Sequence, residues 1–350
     1  MNESEGQRFG LAPLTLADRD LFARCFARIP QPLSDYSFAN VFIWRSSLSL
    51  YWARLEGHLC LFANGRELSM LMPPMATDEA APGSLGRCLD RCFELMDAYN
   101  DAAGLPRSLA RIEYVSAPAA QAMVAAAPPR LGLAAQPMSG DYIYAMPRMI
   151  DLAGGSLKSK RHARSRFLRE HPDHACAPLQ DHHLPDCLAL LHVWHEHGDQ
   201  AHLGEATDAM VATAELRRKE VAASRLALQR RHDLGLTGLT LWADGRLIGF
   251  TLGECLTVDQ ASILIEKTHP EYHGAAQFIF AEFCRRCWAS CQECNVGDDW
   301  GIPSLRFTKE SYRPVRRLTK FTLIRTPTPG IVITSAPTAG TTSANAGVRA

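Results

Sequence analysis

From Leu236 to Cys294 the chain reads LTGLTLWADGRLIGFTLGECLTVDQASILIEKTHPEYHGAAQFIFAEFCRRCWASCQEC. Its apolar residues first keep the short period of strands and then the longer period of a helix. Residues 236–243, 247–256 and 260–267 are predicted strands, and Asp244-Gly245 is the tight turn joining the first two. Residues 274–294 are a predicted helix. Strand 295–298, helix 304–312 and strand 320–324 follow, and helices 184–197 and 208–227 precede. The predicted unit is therefore two helices, a three-strand meander, a long helix and a return strand.

The first half of the chain repeats that order. A helix is predicted over 16–27 with Thr15 as N-cap, and a second over 35–45 with Ser34 as its cap. Strands 49–55, 58–63 and 67–72 are joined by Glu56-Gly57 and Asn64-Gly65; helix 85–101, strand 109–115, helix 118–126 and strand 142–146 complete the copy. Two copies of ααβββαβαβ follow the plan of the acyl-CoA N-acyltransferase (GNAT) fold. The expected class is α/β (α+β), a tandem GNAT-like fold of two mixed sheets flanked by helices. Residues 10–150 are the expected first domain and 151–325 the second, which opens on a basic linker helix. Residues 326–350, rich in Thr, Pro, Ala, Gly and Ser, bury too little apolar area to offset ordering entropy and are expected to be disordered.

Composition excludes some functions without naming one. The 350 residues carry 37 Lys+Arg against 37 Asp+Glu and are 47 % hydrophobic, which argues against a globally basic nucleic-acid coat, an acidic disordered chain or a fibre. Met1-Asn2-Glu3-Ser4-Glu5 lacks the basic and apolar regions of an export signal. No run approaches the roughly 18 apolar residues of a membrane span. Eleven cysteines, an odd number in a long chain, read as reduced thiols, so a cytoplasmic location is expected.

Local clusters carry the chemistry. Between Lys158 and Arg169 stand six cations in twelve residues, with Ser156 placed to cap the helix. Lys160 with Arg164, and His162 with Arg166, are i,i+4 pairs of like charge that weaken a free helix and call for an anion. Phosphate on tRNA, a nucleotide cofactor or a lipid head group suits them, since Arg forks bind phosphate bidentately; a solvated helix face is the alternative. Cys284, Cys287, Cys291 and Cys294 invite a metal reading, yet on one continuous helix the outer pair would stand about 15 Å apart. They are expected to line the core, and the histidines around His192 and His195 lack partners at ligand spacing, so no metal site is expected. Glu271-Tyr272-His273-Gly274-Ala275-Ala276 opens the long helix and could admit an anion, but Glu271 would repel a pyrophosphate. Asp298 and Asp299 end a strand, and Arg306, Lys309 and Tyr312 lie on the next helix, at the sheet edge where open α/β sheets bind ligands; a surface helix with ordinary salt bridges is the alternative.

The blocks 33–45, Asp141-Tyr142-Ile143-Tyr144 with Lys160-Arg161-His162, Glu266-Lys267, and Asp299-Trp300-Gly301 through Lys320 stand in order within about residues 10–325. Together they resemble the bacterial DUF2156 family, soluble relatives of the C-terminal catalytic domain of phosphatidylglycerol lysyltransferase. That resemblance implies a tandem GNAT fold and an acyl- or aminoacyl-transferase, with an aminoacyl group moving from charged tRNA to an amine or hydroxyl of a lipid head group or cell-wall precursor. It departs from the family at His162, where the middle motif usually has Asn. Alternatives are an acyl-CoA-dependent N-acyltransferase of a small amine and a non-catalytic module for a phosphorylated ligand. No cofactor is assigned; aminoacyl-tRNA or acyl-CoA is the expected donor, and tRNA and phospholipid head groups at a membrane surface are the expected partners. On this reading Glu266 or Asp299 serves as base and Tyr312 returns a proton, while Lys160, Arg161, Arg164, Lys267, Arg306, Lys309 and Arg316 hold phosphate.

Overall fold

A computed structural model describes residues 3–29, 32–45, 47–200 and 208–326, the side chains of 3–5, 197–200 and 208–213 excepted. Most of the expected tail therefore lies outside the described residues.

The repeat is present. In the first half α1 (Glu3–Arg8) and β1 (Ala12–Pro13) lead into α2 (Arg19–Phe26) and α3 (Phe38–Trp44). The meander β2 (Ser49–Leu55), β3 (His58–Asn64) and β4 (Leu68–Met70) follows, with β5 (Met75–Ala76) as a short addition. Then come α4 (Leu85–Ala102), β6 (Arg111–Ser116), α5 (Ala117–Ala126) and β7 (Leu133–Ala145). After α6 (Met146–Asp151) and the basic α7 (Lys158–Glu170), the second half runs β8 (Ala175–Pro178), α8 (Leu184–Gln200), α9 (Asp208–Leu234), β9 (Thr237–Ala243), β10 (Arg246–Thr257) and β11 (Gln260–Thr268). It ends α10 (Ala275–Cys287), β12 (Glu293–Asn295), α11 (Pro303–Ser311) and β13 (Arg316–Arg325). Both first turns behave alike: Glu56 and Gly57 have φ 49° and 75°, Asp244 and Gly245 φ 52° and 74°, the paired positive angles of a two-residue hairpin turn.

The expected two sheets run into one. Among the described residues the strand order is β1-β2-β3-β4-β6-β13-β7-β12-β11-β10-β9-β8, a thirteen-strand sheet once β5 beside β3 is added. This order is a palindrome of the repeat, because each half lends its last strand to the other. β13 inserts antiparallel between β6 and β7, and β7 pairs in turn with β12. The return strands are parallel to the meander, β6 to β4 and β12 to β11, as the unit requires.

Three further expectations are corrected. The second helix begins at Phe38, not 35, because Ser37 Oγ accepts the Asn40 N–H at 3.1 Å while Ser34 gives its own N–H to Asp141 at 2.6 Å. β7 starts nine residues earlier than 142, through Pro137 and Gly140, residues of poor strand propensity held there by the ladder to β13. The helix expected to reach 294 stops at Cys287, since the chain must reverse to lay Cys294 on β12. The four cysteines thus lie on a helix, a turn and a strand.

Strand alternation divides the interior. Leu59, Leu61, Phe250, Leu252 and Ile265 face α2, α3, α8 and α9 in a core shared by both halves. On the other face Cys60 and Phe62 pack under α4 and α5, and Leu239, Ile248 and Ile263 under α10. Burial of Phe278, Ile279 and Phe283 on α10, at about 1.5–3 kcal/mol each, fixes that helix and the residues at its start.

Candidate active site

Glu266 and Lys267 are neighbours on β11, so their side chains leave on opposite faces. Lys267 goes to the shared core, where it is buried, ion-paired with Glu220 of α9 and seated 3.8 Å over the Trp194 ring. It is not available to phosphate. Glu266 turns toward α10 and is only partly buried as a residue, but its Oε2 is sealed from solvent and has no hydrogen-bond partner. Burial pushes this carboxyl up to about 8, against the opposing pull of Lys267.

Tyr312 closes α11 with a nearly buried ring, 5.8 Å from Tyr144 and 5.5 Å from Phe280. Its phenol is raised well above the ordinary value, first by burial and then by the charge of Glu266, and a hydrogen bond with Gln277 opposes the rise. Lys160 of α7 places Nζ 4.5 Å from the centre of the Tyr312 ring, and burial lowers its pKa. Glu266, Tyr312 and Lys160 are thereby brought together from β11, α11 and α7, with Tyr144, Phe280 and Gln277 as walls that sequence reasoning missed. Gln277 carried one signal, its place in the first turn of α10 after Gly274.

The other expected residues are engaged elsewhere. Asp299 is fully buried: Oδ2 accepts from Tyr142 Oη at 2.5 Å and Arg306 Nε at 3.2 Å, Oδ1 from the Gly301 N–H at 2.9 Å, and Arg317 stands 3.5 Å away. Burial would raise it, yet these bonds outweigh burial and hold the carboxyl below its usual range. It is saturated, a poor base, and Arg306 is bound to it. Lys309 donates to the Val296 and Asp298 carbonyls at 2.6 and 2.5 Å, and burial lowers it to about 8. Arg316 forks onto Glu293 at 3.0 and 2.5 Å. Arg161 donates to the Leu152 and Gly154 carbonyls and Arg164 to that of Ile150, so both clasp the end of α6.

Beside these stands a centre the sequence did not announce. Lys320 of β13 is 1 % exposed and its Nζ is ion-paired with Asp35, with Asp141 at 2.7 Å and with Asp298 at 3.3 Å. Asp141 further accepts from the Ser34 N–H and, at 2.9 Å, from Asn295 Nδ2. The cluster ties together the α2–α3 connection, β7, β13 and the end of β12.

Apart from Phe167, which is buried under α10, the rest of α7 faces outward. His162, Ala163, Arg166 and Arg169 line an open cleft of about 480 Å³ with His273 and Gly274, at the N-terminus of α10. The helix dipole there favours an anion, while the Ala275 N–H is already given to the Tyr272 carbonyl at 3.1 Å. The space is narrow: a Cβ on Gly274 would lie 2.1 Å from the Ala163 carbonyl oxygen, and φ there is +90°. Gly274→Ala is therefore expected to destabilise the chain by roughly 1–3 kcal/mol or more, moving α7 off α10. An unchanged urea midpoint would refute that close approach.

The comparisons agree with the sequence resemblance. Residues 26–324 match the family model described as phosphatidylglycerol lysyltransferase, C-terminal. A conserved protein of unknown function from Bacteroides thetaiotaomicron is similar at 25 % identity and TM-score 0.75, over 90 % of this chain and 99 % of that one. The C-terminal DUF2156 domain of an Agrobacterium fabrum protein named for lysylphosphatidylglycerol synthetase is similar at 15 % identity and TM-score 0.56, over 89 % and 93 %. L-PGS from Bacillus licheniformis is similar at 13 % and 0.56, over 88 % and 92 %. The last two likenesses concern the fold. No curated protein matches the chain. Among the described residues no helix is long and apolar enough to cross a membrane.

Proposed function

The chain belongs to the phosphatidylglycerol lysyltransferase C-terminal family, and from that membership we propose an aminoacyltransferase that moves an aminoacyl group from charged tRNA to an amine or hydroxyl of a lipid head group or cell-wall precursor. The observation that carries the reading is Glu266, a sealed carboxylate with a free oxygen and a pKa pushed to about 8, beside the buried phenol of Tyr312. In this reading Glu266 takes the proton of the attacking amine or hydroxyl as the new bond to the acyl carbon forms. Tyr312 gives its proton to the oxygen that leaves with the tRNA, and Lys160 over its ring stabilises the phenolate. Asp299, saturated by its donors, positions Tyr142 and Arg306 and takes no part as base.

Arg169, and Arg166 on exchanging its ion pair with Glu170, supply the cations for the donor's phosphates, and His162 and His273 line the same cleft. A second reading, acyl-CoA as donor, is favoured by the place of that cleft at the start of α10, where a pyrophosphate would meet the positive end of the helix dipole. The close passage of α7 over Gly274 weighs against it, because the Ala163 carbonyl occupies the approach.

Incubation of the purified chain with charged total tRNA, acyl-CoA and lipid extract, followed by mass spectrometry, separates the readings. Aminoacylated lipid or precursor that requires charged tRNA is the expected product. Acylation that requires only acyl-CoA would replace the first reading with the second. Binding of tRNA is expected to weaken steeply with salt, and Arg166→Ala with Arg169→Ala to lower the slope of log K against log salt by roughly 1 for each phosphate no longer neutralised. Affinity indifferent to salt would remove phosphate binding from the account.

A further inference from the structure

On the far side of the sheet from the shared core, in the first half, three cysteines meet. Cys60 lies on β3 and Cys88 and Cys92 one turn apart on α4, all fully buried. Their Sγ atoms are separated by 3.6 Å (Cys60–Cys88), 3.6 Å (Cys60–Cys92) and 4.0 Å (Cys88–Cys92). Among the described residues this is the one group of three potential ligands drawn so tightly together.

These distances are those of one face of a metal tetrahedron. With a zinc–sulfur bond of about 2.3 Å, neighbouring sulfurs in a tetrahedral site stand about 3.8 Å apart. An ion about 2.3 Å from all three would sit only about 0.8 Å off their plane, so no sulfur has to move to receive it.

A fourth group stands beside them. His58 is two residues before Cys60 on β3, so it leaves the strand on the same face. The ring is 5 % exposed and its Nδ1 lies 2.9 Å from the Glu56 carbonyl oxygen. A carbonyl only accepts, so Nδ1 carries the proton and Nε2 is left with its lone pair. Cys88 is a neighbour of the ring, whose nitrogens do not lie within 4.8 Å of all three sulfurs, so the ring has to turn in to reach an ion held by them. Backbone carbonyls orient metal-bound imidazoles in this way. Thiols packed as small hydrophobes, one giving its S–H to the imidazole, would reach similar separations, and the metal content of the protein separates the two.

We propose that Cys60, Cys88 and Cys92, with the His58 ring turned in as the fourth ligand on binding, form a structural zinc site that pins α4 to β3. Binding exchanges three thiol protons for one Zn²⁺, giving three thiolates and a neutral imidazole around the ion, with no position left for substrate. The site is separate from Glu266 and Tyr312, which lie in the second half under α10.

The test uses the full chain, expressed with zinc in the medium, dialysed and assayed by plasma mass spectrometry. One zinc per chain is expected, absent from Cys88→Ser and from His58→Ala and kept in Cys284→Ser. Should the first two variants fail to fold, the wild-type chain refolded with Co²⁺ decides: thiolate-to-cobalt charge transfer and the strong visible bands of a tetrahedral ion are expected. A chelator-dependent gain in alkylation confined to Cys60, Cys88 and Cys92, among the eleven cysteines, is the third expected sign. Metal-free wild type with no cobalt spectrum and chelator-indifferent alkylation would overturn the proposal and leave a cluster of packed thiols.

Discussion

Lys320→Met is expected to prevent the two halves from closing into one sheet. The ammonium of Lys320 is surrounded by Asp35, Asp141 and Asp298, and both Lys320 and Asp141 are cut off from water. Burial alone would lower the lysine, but the three carboxylates outweigh it and hold the group well above its ordinary pKa. Methionine keeps the volume and removes the charge, which leaves three acids facing one another in a medium that solvates them poorly. Removing one partner of a buried pair costs about 3–5 kcal/mol, a large part of the roughly 5–15 kcal/mol that holds a domain together. The measurement is urea unfolding at neutral pH, where the midpoint should fall sharply or the transition vanish.

Acid should partly rescue that variant. Burial raises Asp35 to about 7 even with Lys320 present. A carboxyl raised in the folded state stabilises fully below its unfolded value and loses that contribution as pH rises through the folded one. Without the lysine Asp35 loses the charge that opposes this rise, so the variant should gain stability from pH 8 down to pH 5, a window set by the value near 7. A midpoint equal to wild type at neutral pH would show that the cluster does not hold the halves together.

Glu266→Gln is expected to abolish most of the transfer while leaving the fold intact. An amide fills the same space and cannot take a proton, and loss of a positioned base costs about 10²–10⁴ in rate. The wild-type rate should rise with pH toward a plateau above about 8, because the base form appears as Glu266 ionises. Stability should move the opposite way. The folded pKa near 8 lies above the ordinary 4.5, so the stabilising contribution is complete below about 4.5 and lost as pH rises through 8. The variant lacks that slope and should be the more stable protein at pH 9. Full activity in Glu266→Gln, or the same pH–rate curve, would remove Glu266 from the reaction.

The repeat was legible because it is local. Strand and helix periods, the Glu56-Gly57 and Asp244-Gly245 turns and the long helices after each meander are written in runs of a few residues, where side-chain alternation and turn chemistry act without tertiary help. The start of β7 was not legible. Pro137 and Gly140 oppose a strand, and only the partner β13, some 180 residues away, makes that backbone extended. The end of α10 was hidden for a related reason: its apolar period runs on to Cys294, while the return strand needs the chain to turn at Trp288.

The charged residues divide along the same line. Sequence by itself determined the ααβββαβαβ repeat and named Glu266, Tyr312 and Lys160 among its candidates. It could not say which of the cations were already neutralised, since Arg316 with Glu293 and Lys267 with Glu220 meet across 23 and 47 residues of chain. Only the tertiary structure decided that Asp299 is saturated, that Glu266 keeps a buried oxygen without a hydrogen-bond partner, and that each half lends its last strand to the other. Coulomb energy and desolvation depend on distance and burial, quantities that a linear order of residues does not contain.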